Sequence, residues 1–264
     1  MERRIDKQRV AESFSRAAES YDSVAELQRE IGTELAEQLP QIPVRRMLDL
    51  GCGTGFFTPL LRQRYPQAEL INLDLAQGML SYARENRFDQ NAVWLCADAE
   101  ALPLADNSID LIFSTLAIQW CENVSILFAE IARVLRPGGQ FFVATLGPDT
   151  LLELKNAWQA VDNFTHVNRF LPATQFIEAC PDTLSVNDFK ESFKVLQYSQ
   201  LKELTDELKG IGAHNMNAGQ QTGLTGRERI RRFKRAYEAQ RNAQGYLPAT
   251  YQVFFGAFEK GKQN

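Results

Sequence analysis

Histidine is scarce in this chain of 264 residues, with two in all, and cysteine is limited to four. His166 and His214 are far apart, and Cys52, Cys96, Cys121 and Cys180 form no C-x-x-C pair. Nitrogen- and sulfur-ligated metals need such groups clustered at short spacing, so the sequence offers no metal centre. The same scatter argues against a disulfide framework and reads as reduced thiols in a cytoplasmic protein. Long apolar runs are also missing; none approaches the roughly 20 residues that span a bilayer. The first residues, Met1-Glu-Arg-Arg-Ile-Asp-Lys7, are charged and lead straight into a helical pattern, so no secretory leader is read there. A net charge of −4 denies the body the broad cationic surface that tracks phosphate backbones. Neither a membrane nor a nucleic acid is an expected partner.

What is present is ordinary globular composition, 44% apolar and 23% charged, in a length that suits one α/β domain with an elaboration. Residues 4–38 carry apolar side chains at helical spacing (Val10, Phe14, Ala17, Tyr21, then Val24, Leu27, Ile31, Leu35) and predict two helices. Strands are then predicted at Arg46–Leu50, Glu69–Asp74, Ala92–Ala97, Ile109–Thr115 and Gln140–Leu146. Helices are predicted between them near 58–65, 76–86 and 124–135, and Arg136-Pro-Gly-Gly139 reads as a turn. Such alternation specifies a doubly wound, parallel sheet with ligands at its carboxyl edge. Beyond Leu146 the rhythm changes. A helix is predicted over 149–161, a short one near 173–179, a strand over 185–198, a helix over 201–208, a glycine-containing turn over 209–215 and a basic helix ending near Arg241. Thr250–Phe258 reads as the last strand. About 50 residues between the last two strands are too long for a simple connection and read as a helical lid. The expected plan is a single domain: a helical cap (1–44), a binding core (45–146), a substrate-side extension (147–198), the lid (199–248) and the last strand (249–264).

The chemistry is concentrated where β-strands end. Residues 47–55, Met-Leu-Asp-Leu-Gly-Cys-Gly-Thr-Gly, end an apolar run in Asp49 and break into a glycine turn. Asp74 closes the next strand, where an acid can accept from two ribose hydroxyls, and Leu75 follows it. The spacing Gly51-x-Gly53-x-Gly55 lacks the third glycine of the dinucleotide pattern. The unit therefore reads as nucleoside-binding. Asp98-Ala99 follows the third strand. Thr115 ends the fourth, and Trp120 lies just after it, either a cavity wall whose aromatic face suits a cation or a core residue.

These motifs resemble the class I S-adenosylmethionine-dependent methyltransferases across residues 45–146: Leu48-Asp-Leu-Gly-Cys-Gly-Thr-Gly55, Asp74, Asp98-Ala99 and Arg136-Pro-Gly-Gly139. The resemblance implies a Rossmann-like, mostly parallel seven-stranded sheet, with S-adenosylmethionine as cofactor. It puts Asp98 at the adenine amino group, the Ala99 amide at a ring nitrogen, and the end of the fourth strand at the sulfonium. Phe14-Ser-Arg-Ala-Ala-Glu-Ser-Tyr21-Asp22, Leu116-Ala-Ile-Gln-Trp-Cys121, His166-Val-Asn-Arg-Phe-Leu-Pro172, Leu208-Lys-Gly-Ile-Gly-Ala213 and Tyr251-x-x-Phe254-Phe-Gly256 narrow it. They are similar to the malonyl-acyl-carrier-protein O-methyltransferases of biotin synthesis, nearly end to end, with a departure around Gly219 to Gly226. The implied reaction esterifies the free carboxyl of a malonyl thioester on acyl-carrier protein or coenzyme A.

A carboxylate is ionised before it reaches the enzyme, so the transfer needs alignment and desolvation but no general base. Arg169 is the candidate that orients the carboxylate, with His166 and Asn168 beside it; the alternative is an arginine that ties a structural turn. Tyr21 is either a residue over the reacting groups or a helix-packing tyrosine. Residues 200–264 hold 11 Lys and Arg against 6 Asp and Glu, which leaves the first 199 residues strongly acidic. Arg227, Arg231, Lys234 and Arg235 recur at three- and four-residue steps, either a docking face for an acidic carrier protein or a solvated helix face. Competing readings are a methyltransferase of another small acceptor, such as a quinone precursor or an acyl-CoA, and a non-catalytic assembly factor on the same fold.

Overall fold

Short apolar runs buried on both faces become the middle of a seven-stranded sheet. The computed structural model describes residues 5–87, 89, 91–213 and 226–262. Two helices, α1 (Lys7–Val24) and α2 (Glu26–Glu37), precede β1 (Arg46–Leu50). Then α3 (Thr58–Arg64), β2 (Glu69–Asp74), α4 (Gln77–Asn86), β3 (Ala92–Cys96), β4 (Ile109–Thr115), α5 (Val124–Val134) and β5 (Leu135–Leu146) alternate as the periodicity predicts. They are followed by α6 (Leu152–Gln159), α7 (Ala173–Glu178), β6 (Leu184–Tyr198), α8 (Leu201–Gly210), α9 (Arg227–Glu238) and β7 (Leu247–Lys260).

The strand order is β3-β2-β1-β4-β5-β7-β6. The first five strands pair in parallel, and β7 runs antiparallel between β5 and β6. The order reverses between β1 and β4, and a doubly wound sheet opens its binding crevice at that point, beyond the strand carboxyl ends. Successive strand residues point to opposite faces. Met47 therefore packs with Leu27, Ile31, Leu35 and Phe113 on one side, while its neighbour Leu48 packs with Leu127, Phe128 and Ile131 of α5 on the other. Each such fully buried side chain contributes about 1.5–3 kcal/mol. Asn123 starts α5 by accepting from the amides of Ser125 and Ile126. Leu204 of α8 and Phe233 and Tyr237 of α9 are buried in the same cluster as Met47, so both helices rest on the main core.

Two local expectations are corrected. Arg136-Pro-Gly-Gly139 belongs to β5, not to a turn: Leu135 already pairs with Ile109, and the ladder shifts register before Gln140 meets Leu111. The segment carries the bulge that its glycines permit. The helix expected from Asp149 starts at Leu152, because Leu151 adopts φ +56° and its amide bonds to the Thr250 carbonyl on β7.

Candidate functional site

The glycine turn is built by backbone need. Gly51 has φ +78°, and a β-carbon there would lie 2.1 Å from that of Ala117. Gly53, at φ +55°, has open space where its side chain would be, and its amide donates to Asp74 Oδ2 at 2.8 Å. Asp74 Oδ1 accepts from the Ala76 amide at 2.7 Å. Burial raises the Asp74 carboxyl, and these amides act against that shift. Asp49 is 2% exposed beneath the turn, and its Oδ2 has no partner among the described residues. Burial, then the nearby Asp74 charge, pushes its carboxyl up to about 8.

A cavity of about 760 Å³ opens above these groups, lined by Gly51, Gly53, Asp74, Leu75, Asp98, Ala99, Thr115 and Trp120 among others. The sequence-predicted binding residues thus converge, with two exceptions in detail. Asp49 sits under the turn, and Gly55 packs against Trp94, Thr58 and Ala83. The Thr115 hydroxyl is buried without a partner at the end of β4. The far wall is α1, through Lys7, Val10, Ala11, Phe14 and Tyr21. Lys7 reaches Asp98 Oδ2 at 2.5 Å and also pairs with Glu100. Asp22 receives the Thr54 hydroxyl at 2.6 Å and Arg87 at 2.5 Å, which ties the end of α1 to the glycine turn. Lys7, Val10 and Ala11 were not legible as site residues. Val10 shows in the sequence only as part of a helical apolar pattern, and Lys7 meets an acid 91 positions away.

A second cavity, of about 750 Å³, shares Phe14, Tyr21, Leu116 and Trp120 with the first. Trp120 meets Phe14 edge-on at 5.3 Å. Leu116, at φ +48°, holds a left-handed conformation that costs a branched side chain of order 1–2 kcal/mol, and so stores strain where the cavities meet. Burial, then the charges of Asp74 and Asp22, raises the Tyr21 phenol far above its ordinary value, so it stays neutral and able to donate. The inner cavity is also lined by Gln28, Gln119, Thr150, His166, Asn168 and Tyr251, and no Lys, Arg, Asp or Glu among the described residues lines it. The Gln28 Oε1 is buried without a partner among the described residues. His166 stacks on Trp158 at 3.7 Å, Trp158 stacks on Phe233 of α9 at 4.1 Å, and His166 Nε2 lies 2.8 Å from Asp162 Oδ1. Burial would raise the Asp162 carboxyl, but Arg229, the Phe164 amide and His166 outweigh it and hold it down at about 2.

Arg169 is placed differently from the carboxylate role expected for it. It is exposed, donates to Thr165 Oγ1 at 3.4 Å, and lines an outer groove instead of the inner cavity. Arg227, Arg231, Lys234 and Arg235 are all exposed on α9, opposite the buried Phe233 and Tyr237. Residues 214–225, with His214 and most of the stretch that departs from the family pattern, lie outside the described residues.

The family described as methyltransferase domain matches residues 48–143, which take in the glycine turn and the strand-end side of the first cavity. Among solved structures, the YcgJ protein of Bacillus subtilis superposes with a TM-score of 0.61 at 19% identity, over 89% of this chain and all of that one, a likeness of fold. The residues fit S-adenosylmethionine, the cofactor of this methyltransferase class, on their own geometry. Gly53 leaves a cradle that a β-carbon would fill, Asp49 Oδ2 and the Thr115 hydroxyl are buried without partners among the described residues, and the aromatic rings of Phe14, Tyr21 and Trp120 line the cavity, where they suit a cation. The chain is 53% identical to the biotin biosynthesis bifunctional protein BioHC of Cellvibrio japonicus over 95% of its own length, which spans half of that protein. It is 43% identical to the malonyl-[acyl-carrier protein] O-methyltransferase of Hahella chejuensis, covering 94% of this chain and 89% of that one. It is 40% identical to the enzyme of that name from Serratia marcescens, covering 96% and 95%. Similarity that runs from α1 through the sheet to β7 takes in both cavities, and the chain belongs to the malonyl-[acyl-carrier protein] O-methyltransferase family.

Proposed function

We propose that this chain methylates the free carboxylate of a malonyl thioester borne by acyl-carrier protein, and so makes the methyl ester that primes chain growth toward biotin. The observation that carries the reading is the pair of cavities sharing one wall, with the inner one mostly apolar, set with a few uncharged polar groups and free of Lys, Arg, Asp and Glu among the described residues. When bound, S-adenosylmethionine supplies an electrophilic methyl on a positive sulfur and leaves as a neutral thioether. The protein's part is to align and desolvate the acceptor. A carboxylate drawn into the inner cavity loses water and meets the hydrogen-bonding groups of Gln28, Asn168 and Tyr21, with no Lys or Arg among the described lining residues. A guanidinium there would stabilise the ground state and blunt the nucleophile. Neutral donors orient one oxygen and leave the other free. Tyr21 lines both cavities and, as a neutral phenol, is suited to holding the acceptor at their junction. Orientation of this kind is worth several kcal/mol, up to about 7–11 in ideal intramolecular cases.

The methyl ester removes a negative charge that apolar chain-elongation sites reject. The exposed cations of α9, Arg227, Arg231, Lys234 and Arg235, are the proposed docking face for the acidic carrier, and a cytoplasmic setting goes with that partner. Among the described residues no helix is long and apolar enough to cross a membrane. The direct test is mass spectrometry of malonyl-carrier protein and malonyl-CoA after incubation with S-adenosylmethionine. A gain of one methylene unit, reversed by mild ester hydrolysis, is expected. No gain on either thioester overturns the reading.

A further inference from the structure

The segment 162–170 has two concave sides. His166, Val167, Asn168 and Phe170 line the inner cavity, and the same four residues also line an outer groove of about 1300 Å³. A single layer of side chains therefore separates the acceptor cavity from the protein surface. The outer side carries cations that the inner side lacks. Arg169 is exposed there, and Lys155 donates to the Pro148 carbonyl at 2.5 Å with its ammonium 5.7 Å from the Phe170 ring. The groove also offers the side-chain amides of Gln159 and Asn163. Its rim is contiguous with α9: Arg229 pairs with Asp162 and stands 5.5 Å over the Phe164 ring, and Arg232 donates to the Ala160 carbonyl at 2.9 Å.

We propose that this groove holds the phosphopantetheine arm of the carrier-borne substrate, with Arg169 taking the arm's phosphodiester while the thioester end passes Phe170 into the inner cavity. The proposal rests on the malonyl-thioester reading above. That substrate is bipartite: a thioester to be buried, joined by a linear chain containing two amides to an anion that stays outside. The two sides of segment 162–170 match that division: no Lys, Arg, Asp or Glu among the described residues lines the inner side, while the outer side carries Arg169, Lys155 and two side-chain amides, its one acid, Asp162, being paired with Arg229. An arginine fork suits a phosphate geometrically and keeps its charge at all working pH. Placing Arg169 at the phosphate also accounts for a site that leaves the reacting carboxylate without an ion-pair partner. A carrier resting on the cations of α9 would deliver its arm at the groove's rim.

The test compares malonyl-4′-phosphopantetheine with malonyl-pantetheine, the same thioester with and without the phosphate, on the full chain and on Arg169→Gln. Arg169 is exposed, so the substitution leaves the core untouched. The wild-type protein is expected to prefer the phosphorylated thioester by about tenfold in kcat/KM, through KM, the scale of one charge-assisted contact. Arg169→Gln should shrink that preference to about twofold or less, with Arg169→Lys intermediate. A preference that survives Arg169→Gln overturns the assignment. Equal losses on both thioesters, carried by kcat, overturn it as well and put the arginine at the carboxylate. Wild-type protein that methylates malonyl-carrier protein but neither arm thioester also overturns the groove's role in holding the arm, and protein that methylates none of the three overturns the proposed reaction itself.

Discussion

Asp49 is the most unusual single residue of the site, an acid 2% exposed with one oxygen unpartnered and its carboxyl pushed up to about 8. At pH 7 it is therefore mostly protonated when the cavity holds no cation. The folded state binds this proton more tightly than an unfolded chain, whose aspartate titrates near 4. Asp49 thus subtracts stability progressively as pH rises from about 4 to about 8. A cationic ligand bound at this end of β1 favours the carboxylate. Binding of S-adenosylmethionine at pH 7 is expected to release close to one proton, measured by calorimetry in two buffers of different ionisation enthalpy. The release should fade above pH 8 and vanish in Asp49→Asn. Proton-neutral binding by the wild-type protein would remove Asp49 from the linkage. Asp74 is held by the Gly53 and Ala76 amides, which aim it at the cavity. Asp74→Ala is expected to weaken the same binding by about 1.5–3 kcal/mol, the scale of hydrogen bonds to a charged group. Unchanged affinity in that titration would rule out a ligand contact.

Among the elements, α1 has the largest consequences, because it walls both cavities and, besides the Lys7 pairs with Asp98 and Glu100, is fastened to three other parts of the chain. Ser15 accepts from the Gly78 amide of α4, Ser13 and Ser20 donate to the Gly212 and Gly210 carbonyls beyond and at the end of α8, and Asp22 holds the glycine turn. A β-carbon on Gly78 would lie 2.7 Å from Ser15 Cβ and 2.8 Å from its backbone. Alanine is the better helix former there by about 1 kcal/mol, yet backbone in the way cannot rotate aside. Gly78→Ala should therefore push α1 off α4. The expected outcome is weaker S-adenosylmethionine binding and faster amide exchange along α1, with exchange in β1 and β4 unchanged. Stronger protection of α1 would show that helix propensity wins. The contrast in what the sequence revealed follows from the same architecture. Asp74, Asp98 and the glycines were legible because the cofactor cavity is made of consecutive strand ends, each with a local signature. The inner cavity is made from α1, α2, residues 116–120, segment 146–170, α8 and the residues after it, and β7, so Gln28 and Thr150 have no local signature to betray them, and Tyr251 shows only as part of a family pattern. Arg169 was placed from its chemistry alone. Which side of its loop it occupies depends on Val167 being buried and His166 stacking on Trp158, neither visible in sequence. Pro137 and its two glycines read as a turn because local propensity says so, but pairing of Leu135 with Ile109 overrides it.

At the scale of the whole molecule, charge is divided between an acidic body and a basic C-terminal part, and the fold brings the basic part to the mouth of the groove. A reaction that needs no general base has a matching pH signature. With cofactor saturating, single-turnover methyl transfer is expected to stay nearly flat between about pH 6 and 8. A steep rise abolished by His166→Ala would instead make His166 a base. The docking face is tested by salt and charge reversal. Arg227, Arg231, Lys234 and Arg235 are exposed, and Arg231 pairs locally with Glu228 at 3.1 Å, so their attraction acts mainly on encounter with an acidic partner. Reversing Arg231 and Arg235 to Glu should raise KM for malonyl-carrier protein by roughly tenfold at low salt. The effect should shrink as added salt shortens the screening length to a few ångströms. Malonyl-CoA lacks the carrier's acidic surface, so its KM should change much less. Phe233 and Tyr237 anchor the opposite side of α9 in the core, which separates the two roles of the helix. If both thioesters suffer equally and salt makes no difference, the substitutions have moved α9 and with it the Trp158–His166 stack, and the basic face is a structural cover instead of a dock.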